Sequence, residues 1–532
     1  MINVAPDLQD LLIETVVNLL QHKNPYTGKT YAQDPALAYI EMQNEDDIFF
    51  YSLEGQLNRA PTYKKQLIER FSDWLQKKYG STDALKAAWG DALGGQTLEA
   101  KNVDIQTNPW FFSEDNLPNK SGGEHQRLLD NAAFFHETQN AFYQKFSKAI
   151  RATGYQGPLV SSPWQAPSGL PQLYNLKSDA QVGYVDRHNY FGGGLNDTML
   201  KEPGSGILSS GLQQVANRPF GFSEWVSVYP SLYSAEGPAL IAAYGMGLQG
   251  WDASYEFQSS SGTGAFSDIV GKFPWGIWNA DVPTQIGQYP ILARMIARGD
   301  IKQGADIGVR RVSAQDLEKG KFDFSDKVTQ AGDVKTFGGS VPAEALAAGR
   351  CVVDFTDHTA PSTLPDINQF RDGDGIKANN GALMWNSKAG YFTINTAGSK
   401  GIVGFAGNRD LKLGSFKANI ATPYASLLVT AAEKNADLTN CKSALISAVA
   451  RGANSGATYF TLDQRMLENG KGPILMEPVK ATLSFGNRKV AAVNILDADG
   501  KRTGRTLAVK NGEFVIDEAQ DKTIYYEVVF GG

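Results

Sequence analysis

The chain has 532 residues, of which 42% are hydrophobic and 20% charged, an ordinary globular balance at a length that calls for two or three domains rather than one core. A net charge of -6 argues against a nucleic-acid partner, which would need a basic face. No apolar run reaches the ~18 residues of a membrane span, and the opening "MINVAPDLQDLLIETVV" carries acids where a signal peptide carries basic residues and an apolar stretch. Two cysteines, Cys351 and Cys441, are too few for a disulfide scaffold or a cysteine zinc site.

Residues 7–22, "DLQDLLIETVVNLLQH", have helical periodicity, and Asn-Pro and Thr-Gly pairs then mark a loop. "LAYIEMQNE" (37–45) reads as a buried strand ending in polar groups. Two amphipathic helices follow at 62–79 and 81–91, with Ser81 as N-cap of the second, and a long helix covers 124–152. "GPLVSSPW" (157–164), "QVGYVDRHNYF" (181–191) and "PFGFSEW" (219–225) read as strands. A helix at 235–246 leads to a fifth strand in "GLQGWDASYEF" (247–257), and a helix near 283–298 closes the region. Strands alternating with helices indicate parallel β/α units. Past residue 300 the texture turns to period-2 alternation with glycine turns, which predicts a β-sandwich over 303–475 and a small β domain, or remaining sandwich strands, over 476–532.

Two carboxylates stand at predicted strand ends: Glu45, after Asn44, and Glu224 three strands later. Glycoside hydrolysis needs two carboxyl groups flanking one sugar bond, one protonated and one ionised, each on a rigid element facing a common cleft. Opposed strand ends of a barrel can bring such groups within ~5–5.5 Å, the retaining separation. Other chemistries read poorly. "GFSEW" lacks the second glycine of a nucleophile elbow, so Ser223 is not expected to serve an esterase, and neither HExxH nor a phosphate-binding GxxxxGK[ST] occurs. No cofactor and no metal site is expected; "RDGDG" (371–375) lacks the later ligands of a calcium loop.

The strand-end motifs resemble those of glycoside hydrolase clan A. "IEMQNED" is similar to the fourth-strand motif in which Asn-Glu supplies the acid/base, and "PFGFSEW" to the seventh-strand motif that carries the nucleophile. "DRHNYF" resembles the sixth strand, with His188 and Tyr190 in the cleft. "GWDASYEF" resembles the eighth, where Trp251 would form the floor of a sugar subsite. "FSDWLQKKYGSTDALKAAWGD" is similar to a helical insertion of family 42 β-galactosidases and their relatives. The resemblance spans roughly residues 8–300. It implies a retaining glycosidase on a (β/α)8 barrel with Glu45 as acid/base, Glu224 as nucleophile, a carbohydrate substrate and a secreted or periplasmic setting.

Each of these residues has a physical task to match. Asn44 would hydrogen-bond the sugar 2-hydroxyl. Tyr190 would donate to Glu224, and His188 would bind a hydroxyl or tune Glu224. Trp251, and less strongly Trp164 and Trp225, would offer flat faces to the sugar, in competition with plain core roles. Asp186 secures a strand end. With Tyr190 and His188 beside Glu224, Glu45 is expected to keep its proton to the higher pH. Only ~36 residues precede the acid/base strand, whereas one βαβ unit takes ~30, so the catalytic domain, residues 1–302, is expected to lack its first three strands. A second chain or an upstream segment would then complete the barrel, or the chain would be a catalytically inactive carbohydrate-binding protein.

Overall fold

A computed structural model describes residues 1–258, 278, 280–460, 462 and 465–531. The amino-terminal half alternates helices and parallel strands. Five strands follow one another in it: β1 Ile40–Glu41, β2 Leu159–Val160, β3 Val185–Gly192, β4 Phe220–Val228 and β5 Ala253–Glu256. β1 runs parallel to β2, with Ile40 opposite Leu159, a parallel bridge between Val160 and Tyr184 ties β2 to the start of β3, and β3, β4 and β5 continue in parallel. Every adjacent pair is therefore in chain order, as in consecutive β/α units. Among the described residues β1 and β5 share no hydrogen-bonded ladder, so the backbone draws a five-strand parallel array and not a closed ring. Tyr39, just before β1, nevertheless lies 6.0 Å from the ring of Tyr255 on β5, so the array curls and its two edges approach.

The helices begin and end where their chemistry allows. Pro6 and Pro61 open Pro6–Gln21 and Pro61–Tyr79, at the position where a missing N–H costs nothing. Gly80 ends the second with a left-handed φ of 80°, and Ser81 caps Thr82–Trp89 by accepting from the Ala84 N–H. The long helix Gly122–Ala152 buries Phe134, Phe135, Phe142, Phe146 and Ile150. One helix, Leu170–Val182, was not expected. Ten of its thirteen residues are buried, so it has no polar face for a periodic pattern to reveal. At Gly221 on β4 any Cβ would stand 1.9 Å from the Tyr184 hydroxyl, so only glycine lets β3 and β4 close there.

Beyond residue 300 the chain first returns to the α/β half. β6 Asp306–Ser313 and β9 Arg350–Thr356 form a parallel pair, and between them the hairpin of β7 Asp326–Ala331 and β8 Val334–Gly339 lies against the end of β3, Val334 opposite Tyr190. Gln165 and Ser168 reach over from the segment after β2: Gln165 donates to Gln330, and the Ser168 hydroxyl accepts from the Val328 N–H. The pure antiparallel texture starts at Arg371–Asp372. A ten-stranded antiparallel sheet centres on Ala425–Ala431, Ser443–Val449 and Tyr525–Phe530, and faces a five-stranded sheet centred on Lys480–Ser484. Strands from beyond residue 476 sit inside both sheets. Their facing sides fill one apolar layer with Phe416, Phe485, Phe514, Phe530, Ile446 and Tyr526.

Candidate active site

Four of the side chains singled out from the sequence converge at the ends of β1, β3 and β4. Glu45 stands four residues past β1, and His188, Tyr190 and Glu224 are on β3 and β4, with His188 opposite Glu224 in the parallel register. His188 Nδ1 lies 2.8 Å from Glu45 Oε1 and 3.4 Å from Glu224 Oε2, while its Nε2 is 2.8 Å from Ser223 Oγ. Tyr190 donates its hydroxyl to Glu224 Oε2 at 2.6 Å. The ligand atoms of Glu45, His188 and Glu224 all fall within 4.8 Å of one another. His188 is buried, whereas the carboxylates are 30% and 21% exposed, so the imidazole forms the wall and the two acids face the opening. This trio is close enough to hold a cation. Its atoms are already engaged by one another and by Tyr190 and Ser223, an arrangement suited to moving protons.

Asn44 is exposed beside Glu45. Asp186 is buried beneath the site and ties β3 to β4, its Oδ1 accepting from the Arg187 and Ser223 N–H groups. The three tryptophans do not stand as expected. Trp225 follows Glu224 directly, and adjacent strand residues point to opposite faces. Its indole therefore lies against Gly237 behind the sheet and donates to Ser254 Oγ at 2.8 Å. Trp251 precedes β5 and packs between Phe220 and Phe222, its ring on Gly245, where a Cβ would come within 2.6 Å. Neither faces the carboxylates. Trp164 is near the site but covered: Phe50 meets it edge-on at 5.4 Å and the Lys335 ammonium lies 3.5 Å over its ring.

The structure adds residues that the sequence reading passed over. Trp278 is 40% exposed, with its ring 6.1 Å from that of Tyr190 and 6.2 Å from Phe257, an open aromatic face at the rim. Lys335, on β8, is fully buried and donates to the His188 carbonyl at 2.9 Å. Its signal was its phase: β8 alternates so that Lys335 shares the inward side with Phe337, an unusual place for a lysine. Glu41, at the end of β1, is held up to about 8 by burial and by the charges of Asp186, Glu224 and Glu45.

The charge balance at Glu45 reverses the expectation from strand positions. Burial pushes its carboxyl up, but the hydrogen bond and charge of His188 and the Lys335 ammonium outweigh that, and it lies below the ordinary value. Lys335 in turn is pushed down to about 7 by burial, against the pull of Glu45. Ser223, His188 and Glu45 also align as hydroxyl, imidazole and carboxylate, the order of an acyl-transfer triad. The Ser223 N–H is taken by Asp186, and the flanking Glu224 and Asp186 carboxyls would oppose an oxyanion.

Residues 16–231 match the glycoside hydrolase 42 family model, described as beta-galactosidase. Over that stretch the chain is similar to the clan A glycoside hydrolases, to which that family belongs. The match ends just past β4, so it takes in Glu45, His188, Tyr190 and Glu224 and stops short of the hairpin that carries Lys335. Among solved structures, a beta-galactosidase from the psychrophilic Marinomonas ef1 is 12% identical with a TM-score of 0.36, over 60% of this chain. The alignment takes in 48% of that chain, so this chain spans about half the length of the structure it matches.

Proposed function

We propose that the chain is a retaining β-glycosidase, with Glu224 as nucleophile and Glu45 as general acid/base. The observation that carries this reading is the approach of the two carboxylates, whose oxygens lie within 4.8 Å. That is near the ~5–5.5 Å of a retaining pair and well under the ~6.5–9.5 Å that leaves room for an attacking water. On this reading Glu224 attacks the anomeric carbon while Glu45 protonates the departing oxygen. Water then attacks the glycosyl ester and gives its proton to Glu45. The Tyr190 hydroxyl steadies the Glu224 charge before attack. On this reading the proton Glu45 delivers is shared across its 2.8 Å contact with His188. A neutral imidazole can accept it at Nδ1 while Nε2–H donates to Ser223.

The five parallel strands are then part of a (β/α)8 barrel to which the hairpin of β7 and β8 is added, and the two antiparallel sheets that start at Arg371 form one accessory module rather than separate units at 303–475 and 476–532. Asn44 would meet the sugar 2-hydroxyl, and Trp278 rather than Trp251 would offer the stacking face. The family match supports a β-linked galactoside as substrate. Turnover of aryl β-glycosides should fall at least ~1,000-fold, about 4 kcal/mol, in both Glu45→Ala and Glu224→Ala. Azide should rescue the Glu224 variant with an inverted glycosyl azide. Unchanged rates in both variants would sink the assignment.

A further inference from the structure

Lys335 reaches the carboxylates from outside the strand set that carries them. The hairpin of β7 and β8 brings it to the end of β3, where Asn189 clamps its backbone from both sides: the Asn189 Oδ1 accepts from the Lys335 N–H at 2.8 Å and the Asn189 Nδ2 donates to the Lys335 carbonyl at 2.9 Å. Asn189 is itself fixed by donating to Ser210 Oγ at 3.0 Å. The ammonium then has the His188 carbonyl at 2.9 Å and the Trp164 ring at 3.5 Å. A buried ammonium carries a desolvation penalty of several kcal/mol unless charge or π-density answers it. Here the answering charges are Glu45 foremost, with Asp333 and Glu224, and Arg187 opposes. This is a built position and not a stray surface lysine.

We propose that Lys335 is a positioning residue for the reaction, a buried amine clamped beside His188 whose charge, together with His188, favours release of the Glu45 proton. The inference rests on the glycosidase reading for its meaning, but its physical content, charge coupling between Lys335 and Glu45, stands apart from turnover. Glu45 faces His188 from β3, Glu224 from β4, Glu41 from β1, Tyr190 from β3 and Lys335 from β8. His188 and Lys335 favour its ionised form, while burial and the two neighbouring acids oppose it. Lys335 is the member supplied by the later part of the chain. An opposite charge within about 4–6 Å of a carboxyl lowers its titration midpoint by about one to three pH units.

The test is a carboxyl titration of the full chain with ¹³C-labelled glutamate, the Glu45 signal being assigned by its loss in Glu45→Gln. In Lys335→Met the Glu45 midpoint should rise by at least about one unit, a tenfold change in its charged fraction at fixed pH. In Lys335→Arg, which keeps the charge, it should stay within a few tenths. On an aryl β-glycoside the alkaline limb of kcat/KM should move up by the same amount in the Met variant only. A purely structural lysine would lower activity or thermal midpoint at every pH and leave the Glu45 midpoint in place, and that result overturns the proposal. Should Lys335→Met fail to fold, Lys335→Gln, neutral and able to donate to the His188 carbonyl, takes its place. Absence of turnover in the wild type would remove the glycosidase reading, while the titration would still decide the role of Lys335.

Discussion

Arg187 and Phe485 are both fully buried, one in each half of the chain, and they are held in opposite ways. Phe485 lies among Phe416, Phe514 and Phe530 between two sheets, each ring delivered by strand alternation. Arg187 belongs to a connected polar network. It donates to Asp179 at 2.9 Å and to the Asp186 carbonyl at 2.6 Å, Asp179 accepts from Ser161, and Asn175 links Arg187 to Asp47, which also accepts from Gln139. This network ends at Asp186, directly beneath Ser223 and the carboxylates. The sandwich uses burial to make a stable layer, whereas the α/β half uses it to fix the positions of charges.

The contrast can be broken from either side. The largest effect is expected for Arg187→Met, which leaves Asp179 as an uncompensated buried acid: about 3–5 kcal/mol of stability by urea unfolding, together with lost activity. A loss as small as that of an exposed substitution would mean that the network is not structural. Phe485→Ala should cost a comparable or slightly smaller amount, about 3–4 kcal/mol, by leaving a cavity. It should not move the pH profile of turnover, and a shifted profile would show that the two halves are coupled. The third effect is confined to a pH window and concerns Glu236, wholly buried, accepting from the Met199 N–H at 2.5 Å and the Thr198 hydroxyl at 2.7 Å, and pushed up to about 8 by burial. Its folded value is raised, so the folded state prefers the proton. That preference is fully satisfied below the unfolded value near 4.5, and stability is lost as pH rises from there toward about 8, by at most ~1.4 kcal/mol per unit. Glu236→Gln should therefore flatten stability between pH 5 and 8, measured by urea midpoints at both values. An equally steep fall in the variant would exclude Glu236 as its source.

The two halves also differ in how far the sequence discloses them. Glu45, Glu224, His188 and Tyr190 were legible because polar groups close otherwise apolar runs, and the structure gathers all four at one point. The alternating texture after residue 370 was legible for the same reason that sandwiches are simple: inward residues recur every second position. The tryptophans were not, because a ring's value as a sugar platform depends on which side of the sheet it takes. Trp225 could have been set aside by parity with Glu224, while Trp251 needed the knowledge that Gly245 opens a seat for it. Lys335 was hidden by distance: 290 positions separate it from Glu45 (335 minus 45), and no local pattern announces that a hairpin will fold back onto β3. The low proton affinity of Glu45 follows from that same lysine and from His188, so it too lay beyond a strand-by-strand reading.

The fold-back of β7 and β8 bears on how this molecule can be recombined. A chimera made by exchanging everything after residue 302 with a relative would carry away the lysine under Trp164 as well as the sandwich. The recipient would keep both glutamates and the hallmarks by which it is classified, yet work at a different acidity. Lineages could then drift in operating pH through the hairpin alone, with strand-end signatures unchanged. A crossover placed after Thr356, where β9 ends, would keep the site and its tuning cation together.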